Sequence, residues 1–185
     1  MGAAVWIVLG CSRLFTTSLL YLYVLGHELT HVLAVYCSRG SVSKFNASLD
    51  GGYIQTNKNN LFISLSPYFL PLWGMLWGLV WGIVHIFWPT ITCEALLYSG
   101  LGFWWCFHLF WTAWIIPKDQ PDLAGNGTFF SLILVYFANL LLFLGLLRLF
   151  NAVSINKFLA DCLHNAERLW DTARDLALFT VGLFL

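Results

Sequence analysis

Four long apolar stretches dominate this sequence and limit the folds that it can adopt. They run from about Ala4 to Cys37, from Leu61 to Trp88, from about Cys93 to Ile116 and from Thr128 to Phe150. Each reaches the roughly 20 residues that a helix needs to cross the hydrocarbon core of a bilayer. Only 10% of the 185 residues are charged, well below the share in a soluble domain. The sequence therefore predicts an all-α polytopic integral membrane protein with about four transmembrane helices.

Charge and cysteine content exclude two other classes of protein. Nine Lys and Arg balance nine Asp and Glu, giving a net charge of 0 with neutral His, so no basic surface is available for nucleic acid. The five cysteines are scattered and form no CxxC pair, which argues against a disulfide framework or a cysteine zinc site. The apolar opening is too long for a cleaved signal peptide. We expect the lipid bilayer to be a partner, and the sequence indicates no oligomeric state.

Two polar regions accompany the apolar stretches. Between the first two, Asp50-Gly51-Gly52 lies among β-forming residues, which predicts a short β-hairpin insert over about residues 41–57 at the membrane surface. After the fourth, charged and apolar residues are interspersed, which predicts an amphipathic helix on the membrane surface. We therefore divide the chain into a membrane-embedded core, residues 1–154, and an interfacial C-terminal helix, residues 155–185.

Glycines within the apolar stretches predict local features of the helices. The first stretch is longer than one upright span, so we expect it to tilt or to bend near Gly10 or Gly26. In the second, Trp73-Gly74, Trp77-Gly78 and Trp81-Gly82 recur at a spacing of four. Small residues at that spacing allow two helices to approach closely. We expect the three glycines to line a helix packing face.

The motif with the clearest chemistry is His27-Glu28-Leu29-Thr30-His31, an HExxH sequence on a predicted helix. Side chains at i and i+4 project from one face, so both imidazoles can bind one zinc ion, Zn²⁺, with the glutamate beside it. In this arrangement Glu28 is the general base that takes a proton from a zinc-bound water. An ionisable cluster inside a membrane indicates a functional site.

A catalytic zinc ion needs a third protein ligand and one open position, and the residues leave four candidates. Asp119 and Asp122 lie in the break before the fourth stretch, on the same side of the membrane as the motif. His108, midway along the third stretch, is placed to act as a ligand, as an oxyanion stabiliser or as a hydrogen-bonding group between helices. Glu94 lies at the opposite end of the third stretch, away from the motif.

The chain resembles the site-2-protease-like intramembrane zinc metallopeptidases, the M50-type class, over about Tyr21 to Asn139. The resemblance rests on an HExxH motif at the end of a first membrane helix, a polar insert with a GGY element, and a small-residue and proline segment that opens the next helix. It also rests on the region where that family places its aspartate ligand. The segments concerned are Gly26 to His31, Gly51 to Tyr53, Leu61 to Tyr68, His108 to Thr112, Gln120 to Asp122, Gly127 to Ser131, and Asn139.

This resemblance implies that His27, His31 and Asp122 are zinc ligands and that Glu28 is the catalytic base. It differs at one point, because the family's aspartate precedes glycine in an LDG motif, whereas Asp122 precedes Leu123-Ala124-Gly125. The 185 residues leave no room for the PDZ or CBS modules of larger relatives, so we expect a compact form.

The implied activity is hydrolysis of a peptide bond in or near a transmembrane segment of a membrane-protein or peptide substrate. An exposed hairpin edge would pair with the unwound substrate, and His108 or Asn139 would stabilise the oxyanion. Two alternatives remain open, a non-catalytic metal-binding membrane scaffold and a metal transporter. A transporter needs polar residues beyond the site, and apart from His85 and Glu94 the opposite half of the predicted bundle is almost wholly apolar.

Overall fold

The computed structural model describes residues 13–90, 94–118, 120–149 and 154–182. The described part of the chain is mostly helical, and a small antiparallel hairpin follows its first helix. This confirms the predicted helical class and the predicted hairpin insert. The elements are α1 (Arg13–Cys37), β1 (Val42–Ser48), β2 (Gly51–Thr56), α2 (Leu61–Phe69), α3 (Leu72–Phe87), α4 (Glu94–Ile115), α5 (Pro121–Ala124), α6 (Thr128–Leu149) and α7 (Ile155–Gly182).

The chain forms two compact units, Met1–Asn139 and Leu140–Leu185, and the division falls within α6. The first unit contains the hairpin and every helix up to the first half of α6. In the second unit, α7 carries exposed apolar side chains among its charged ones, including Phe158, Leu163 and Trp170. The predicted boundary at residues 154 and 155 and the interfacial position of α7 stay predictions.

Two helical segments in the described part of the chain are long and apolar enough to cross a membrane, Thr17–Cys37 and Thr128–Arg148. The α2 and α3 helices together would form a third crossing if the bent pair is one span. The α4 helix extends over nearly all of the third apolar stretch but is not among these candidates. The described part of the chain therefore supports two or three crossings, and the predicted count of about four is not confirmed.

The second apolar stretch folds as two helices that meet at an angle of 72°, where the sequence predicts one span. Asn60 caps the first of them by accepting a hydrogen bond from the Ile63 amide at 2.8 Å. Leu70 then adopts an extended conformation and Pro71 precedes α3. Because proline disfavours a helical conformation in the residue before it and has no amide hydrogen, the helix stops at this point.

Gly26 does not break α1, which continues through it to Cys37. Its missing side chain admits Trp73 of α3, whose indole Nε1 donates a hydrogen bond to the Leu22 carbonyl at 3.1 Å. A Cβ atom at position 26 would lie 2.5 Å from that nitrogen. The glycine therefore serves helix packing, and the tryptophan supplies the contact.

The hairpin pairs Ser48 with Gly51 and Ala47 with Gly52, so its turn consists of Leu49 and Asp50. The sequence signal centred the turn one residue later, on Asp50-Gly51. Gly51 has a φ of +130°, a conformation that glycine adopts without strain. The register places Gly52 against α1, as described below.

Candidate metal centre

The HExxH motif lies near the C-terminal end of α1, where its side chains face the hairpin and the α2 helix. His31 and Glu28 are buried, each with 6% of its surface exposed. One turn of helix separates His27 from His31, and their ring centroids are 5.0 Å apart. The predicted placement of both imidazoles on one helix face is therefore correct.

Asp122 of α5 completes a group of three potential metal ligands with these two histidines. Its Oδ2 atom lies 3.2 Å from His31 Nε2 and 3.7 Å from His27 Nε2. The ligand atoms of the three residues all lie within 4.8 Å of one another. His27, His31 and Asp122 could together hold a metal ion.

The backbone of α2 sets the orientation of His31. The His31 Nδ1 atom is 2.8 Å from the carbonyl oxygen of Ile63, and a carbonyl can only accept a hydrogen bond. Nδ1 therefore carries a proton, and Nε2 faces Asp122 Oδ2 at 3.2 Å, where it would offer its lone pair to a bound metal. Histidine ligands in metal sites are commonly fixed in this way by a second hydrogen bond.

Several contacts hold the segment that carries Asp122. Pro121 occupies the first turn of α5, where its missing amide hydrogen is harmless, and Leu123 is buried. The Ser131 hydroxyl donates to the Leu123 carbonyl at 3.1 Å, and the Tyr68 hydroxyl donates to Asp122 Oδ2 at 3.4 Å. These contacts fix the carboxylate beside the histidines.

The charge state of Asp122 suits a metal ligand. Burial alone would raise the pKa of its carboxyl group, since a charged group is costly away from water. Hydrogen bonds with His27 and His31 outweigh burial and hold the pKa of Asp122 well below its usual range. The group is therefore a carboxylate, the form that binds cations.

Glu28 lies directly beneath the second strand of the hairpin. A Cβ atom at Gly52 would lie 2.7 Å from Glu28 Oε1 and 2.8 Å from its Cδ. Real Cβ atoms do not approach other atoms so closely, so the absence of a side chain at position 52 makes room for the glutamate. The hairpin thus covers the carboxylate that the motif places beside the potential metal ligands.

An open cavity of about 760 Å³ reaches the three ligands and Glu28. Its other walls come from α1, from β2 and from the segment around Trp114 and Lys118. This volume is within the range of typical ligand pockets. The site is therefore accessible to a molecule much larger than water.

The other predicted site residues lie elsewhere. His108 and Asn139 are not among the described residues that line this cavity, and neither His108 nor Glu94 is in the group of potential ligands. The Asn139 Nδ2 atom donates to the carbonyls of Tyr68 at 3.0 Å and Val135 at 2.9 Å, which ties α6 to α2. Asp119 lies outside the described residues.

Sequence reasoning assigns no role to Tyr68, Ile63 or Gly52. Tyr68 contacts Asp122 across 54 positions of the chain, and the Ile63 carbonyl contacts His31 across 32. Backbone acceptors and contacts between distant residues produce no local pattern in the sequence. Only the GGY element gave a signal near Gly52, and that signal came from the resemblance.

Comparison of the chain with models of protein families, with curated proteins and with solved structures gives no significant match. The function of the site can therefore be inferred only from its own residues and geometry.

Proposed function

We propose that this chain is a multi-pass intramembrane zinc-dependent endopeptidase, with His27, His31 and Asp122 as zinc ligands and Glu28 as the general base. The observation that carries the proposal is the convergence of three ligand atoms within 4.8 Å, on an open cavity that Glu28 also lines. Four crossings by α1, the α2–α3 pair, α4 and α6 would complete the predicted topology.

The geometry of the group supports zinc. Ligand atoms in a tetrahedral zinc site lie about 3.3–3.6 Å apart, given metal-to-ligand distances of about 2.0–2.2 Å. The two distances to Asp122 Oδ2, 3.2 and 3.7 Å, lie on either side of this range. Two imidazoles and one carboxylate form a donor set typical of catalytic zinc, which keeps a fourth position open.

A zinc ion held there supplies Lewis-acid polarisation of a carbonyl group and lowers the pKa of water. Glu28 takes one proton from the attacking water, whose oxygen forms the new bond to the carbonyl carbon. As the carbon–nitrogen bond breaks, Glu28 passes that proton to the leaving amine. The products are a carboxylic acid and an amine, and Glu28 returns to its starting state.

The hairpin supports a peptide as the substrate. The described residues 50–56 line the cavity along one wall, so an extended segment beside β2 would lie next to the metal ligands and Glu28. Adding a strand to an exposed sheet edge is a common way to bind an extended peptide. A helical substrate would exchange its own hydrogen bonds for those of the strand.

The experiment is cleavage by the full chain reconstituted in vesicles with a panel of single-span fusion proteins, with mass spectrometry of the products. We expect the wild-type protein to bind zinc and to cut members of the panel. Glu28→Gln should retain zinc and lose cleavage, because the amide cannot accept the proton. If Glu28→Gln cuts as fast as wild type, or if zinc-loaded wild type cuts none of the panel, the proposal is wrong.

The same experiment separates the two alternatives. A metal-binding scaffold would keep its zinc and show no cleavage with or without Glu28. A transporter would move zinc across the vesicle membrane, and it needs further ion sites along the path. The part of the chain that the structure describes offers one group of potential ligands, which favours the hydrolase.

A further inference from the structure

A second, much smaller cavity lies behind the metal centre, on the side of His27 that faces away from Asp122. It measures about 20 Å³ and is bounded by α1, by the junction of α2 and α3, and by α4. Tyr23, His27 and His108 line it, and Asp122 does not. His108 is buried, with 6% of its surface exposed.

Each of these histidines has one ring nitrogen with no hydrogen-bond partner. The two atoms are His27 Nδ1 and His108 Nε2, and both are buried from solvent. Buried polar atoms in proteins nearly always have a partner, and the usual one, when no protein group is in place, is an ordered water. With the hydroxyl of Tyr23, three residues that line this cavity carry such an atom, which indicates that something polar lies among them.

The proton positions of the two rings are complementary once a metal is bound. His27 Nε2 faces Asp122 and would be unprotonated in that state, so His27 Nδ1 would carry the hydrogen and act as a donor. The ring of His108 interacts with the Tyr68 backbone, and because Nε2 has no partner, we assign the proton of the neutral ring to Nδ1. His108 Nε2 is then a bare acceptor.

We propose that one water molecule lies in this cavity and makes hydrogen bonds with both His27 Nδ1 and His108 Nε2. His108 is thereby a positioning residue for the metal ligand His27. The volume fits, since a cavity needs about 10–15 Å³ to hold one water. We call the water between His27 and His108 the relay. His31 obtains the same support directly from the Ile63 carbonyl, so with the relay both proposed histidine ligands have a fixed proton position. The metal-affinity part of this inference rests on the proposed metal site.

The test compares His108→Leu with His108→Gln in the full chain. Leucine removes the acceptor, whereas glutamine places an amide oxygen near the position of Nε2. We expect His108→Leu to weaken zinc binding about 10–100-fold in competition with a chelator, as loss of such partners commonly does, and His108→Gln to restore most of it. His85→Leu is the matched control, because His85 is exposed on α3, and it should bind zinc as wild type does.

A second readout is independent of metal and of activity. Nitrogen NMR of histidine-labelled, metal-free protein reports which ring nitrogen of His27 carries the proton. We expect a single proton form of His27 in wild type and in His108→Gln, and a mixture of forms in His108→Leu. If both variants bind zinc equally and leave the His27 proton unchanged, or if both fail to the same extent, His108 does not position His27.

The two readouts also separate this inference from the proposed function. A wild-type protein that binds no zinc would overturn the zinc peptidase proposal. In that case the NMR comparison alone decides the relay, with the same two outcomes for His108→Leu and His108→Gln.

Discussion

Asp122 is the proposed ligand that joins two distant parts of the chain, since it lies 91 positions from His31. Replacing it with asparagine keeps the shape and removes the charge. We expect Asp122→Asn to weaken zinc binding by at least about 100-fold, because even the partners of metal ligands contribute about 10–100-fold. Zinc content after dialysis against a graded chelator measures this.

Asp50→Asn is the matched control for Asp122→Asn. Asp50 is exposed, lines the same cavity and is not one of the three ligands. It should hold zinc as wild type does. Equal zinc retention in the two variants would remove Asp122 from the ligand set.

Gly52 provides a test of Glu28 that leaves the ligands untouched. In Gly52→Ala, the new methyl group would collide with the Glu28 side chain, at 2.7 Å from Oε1, so the carboxylate must move. A displacement of about 1 Å in a catalytic group can cost on the order of 10²-fold in rate. We expect cleavage of the fusion substrates to fall by that order while zinc content stays constant.

The control for Gly52→Ala is Gly102→Ala in α4, where a Cβ atom would meet nothing within 4 Å. That variant should cut at the wild-type rate. A Gly52→Ala protein with an unchanged rate would show that the position of Glu28 does not matter to the reaction.

For individual residues, the sequence predicted the arrangement of residues within one helical turn. It did not predict contacts between residues that are distant in the chain. His27, Glu28 and His31 form a contiguous pattern whose helical spacing fixes their geometry. The choice among Asp122, Asp119 and His108 depended on contacts across many positions, and the residues alone left it open. The role of Gly52 depends on a strand crossing over α1, which no local pattern encodes.

Among the elements, the packing of α3 on α1 depends on one glycine and one tryptophan. In Gly26→Ala, the added Cβ would lie 2.5 Å from Trp73 Nε1 and would push the indole off the Leu22 carbonyl. Overpacking of this kind destabilises by about 1–3 kcal/mol. We expect a lower free energy of unfolding for the detergent-solubilised protein, measured by denaturant titration.

Gly82→Ala in α3 is the matched control, because a Cβ there would meet nothing within 4 Å. Alanine also favours a helix by up to about 1 kcal/mol over glycine. This variant should be as stable as wild type or slightly more stable. Equal unfolding free energies for the two variants would contradict the role given to Gly26.

The elements were predictable where composition or turn chemistry decides them. Apolar length predicted the helices, and the glycine-rich turn predicted the hairpin. The 72° break after α2 was missed because hydropathy is continuous through Leu70 and Pro71. For the tryptophan–glycine repeat, the sequence predicted helix packing through the glycines. In the structure, Trp73 and Trp77 also donate hydrogen bonds to the carbonyls of Leu22 and Leu97 on neighbouring helices.

For the whole molecule, the site requires the ends of α1 and α4 to lie on the same side of the membrane. His31 is near the end of α1, and Asp122 follows α4 by a few residues. The segment between α3 and α4 should then lie on the opposite side. Single cysteines at these places, in a protein whose native cysteines are replaced by alanine, report the arrangement.

We expect a membrane-impermeant maleimide to label Ser43→Cys and Lys118→Cys from one side of oriented vesicles and Thr90→Cys from the other. The two residues on the site side are exposed at the hairpin and at the end of α4. Labelling of all three from one side would mean that the α2–α3 pair re-enters without crossing and that α4 does not span.

The separation of 91 positions between His31 and Asp122 also bears on how the protein is made. During synthesis, the two histidines and Glu28 emerge long before the carboxylate that completes the cluster, and the hairpin that covers Glu28 emerges in between. A nascent chain therefore has only two of the three potential metal ligands until more than 120 residues have left the ribosome. The proposed hydrolytic capacity would therefore arise only after α1 to α4 have been synthesised.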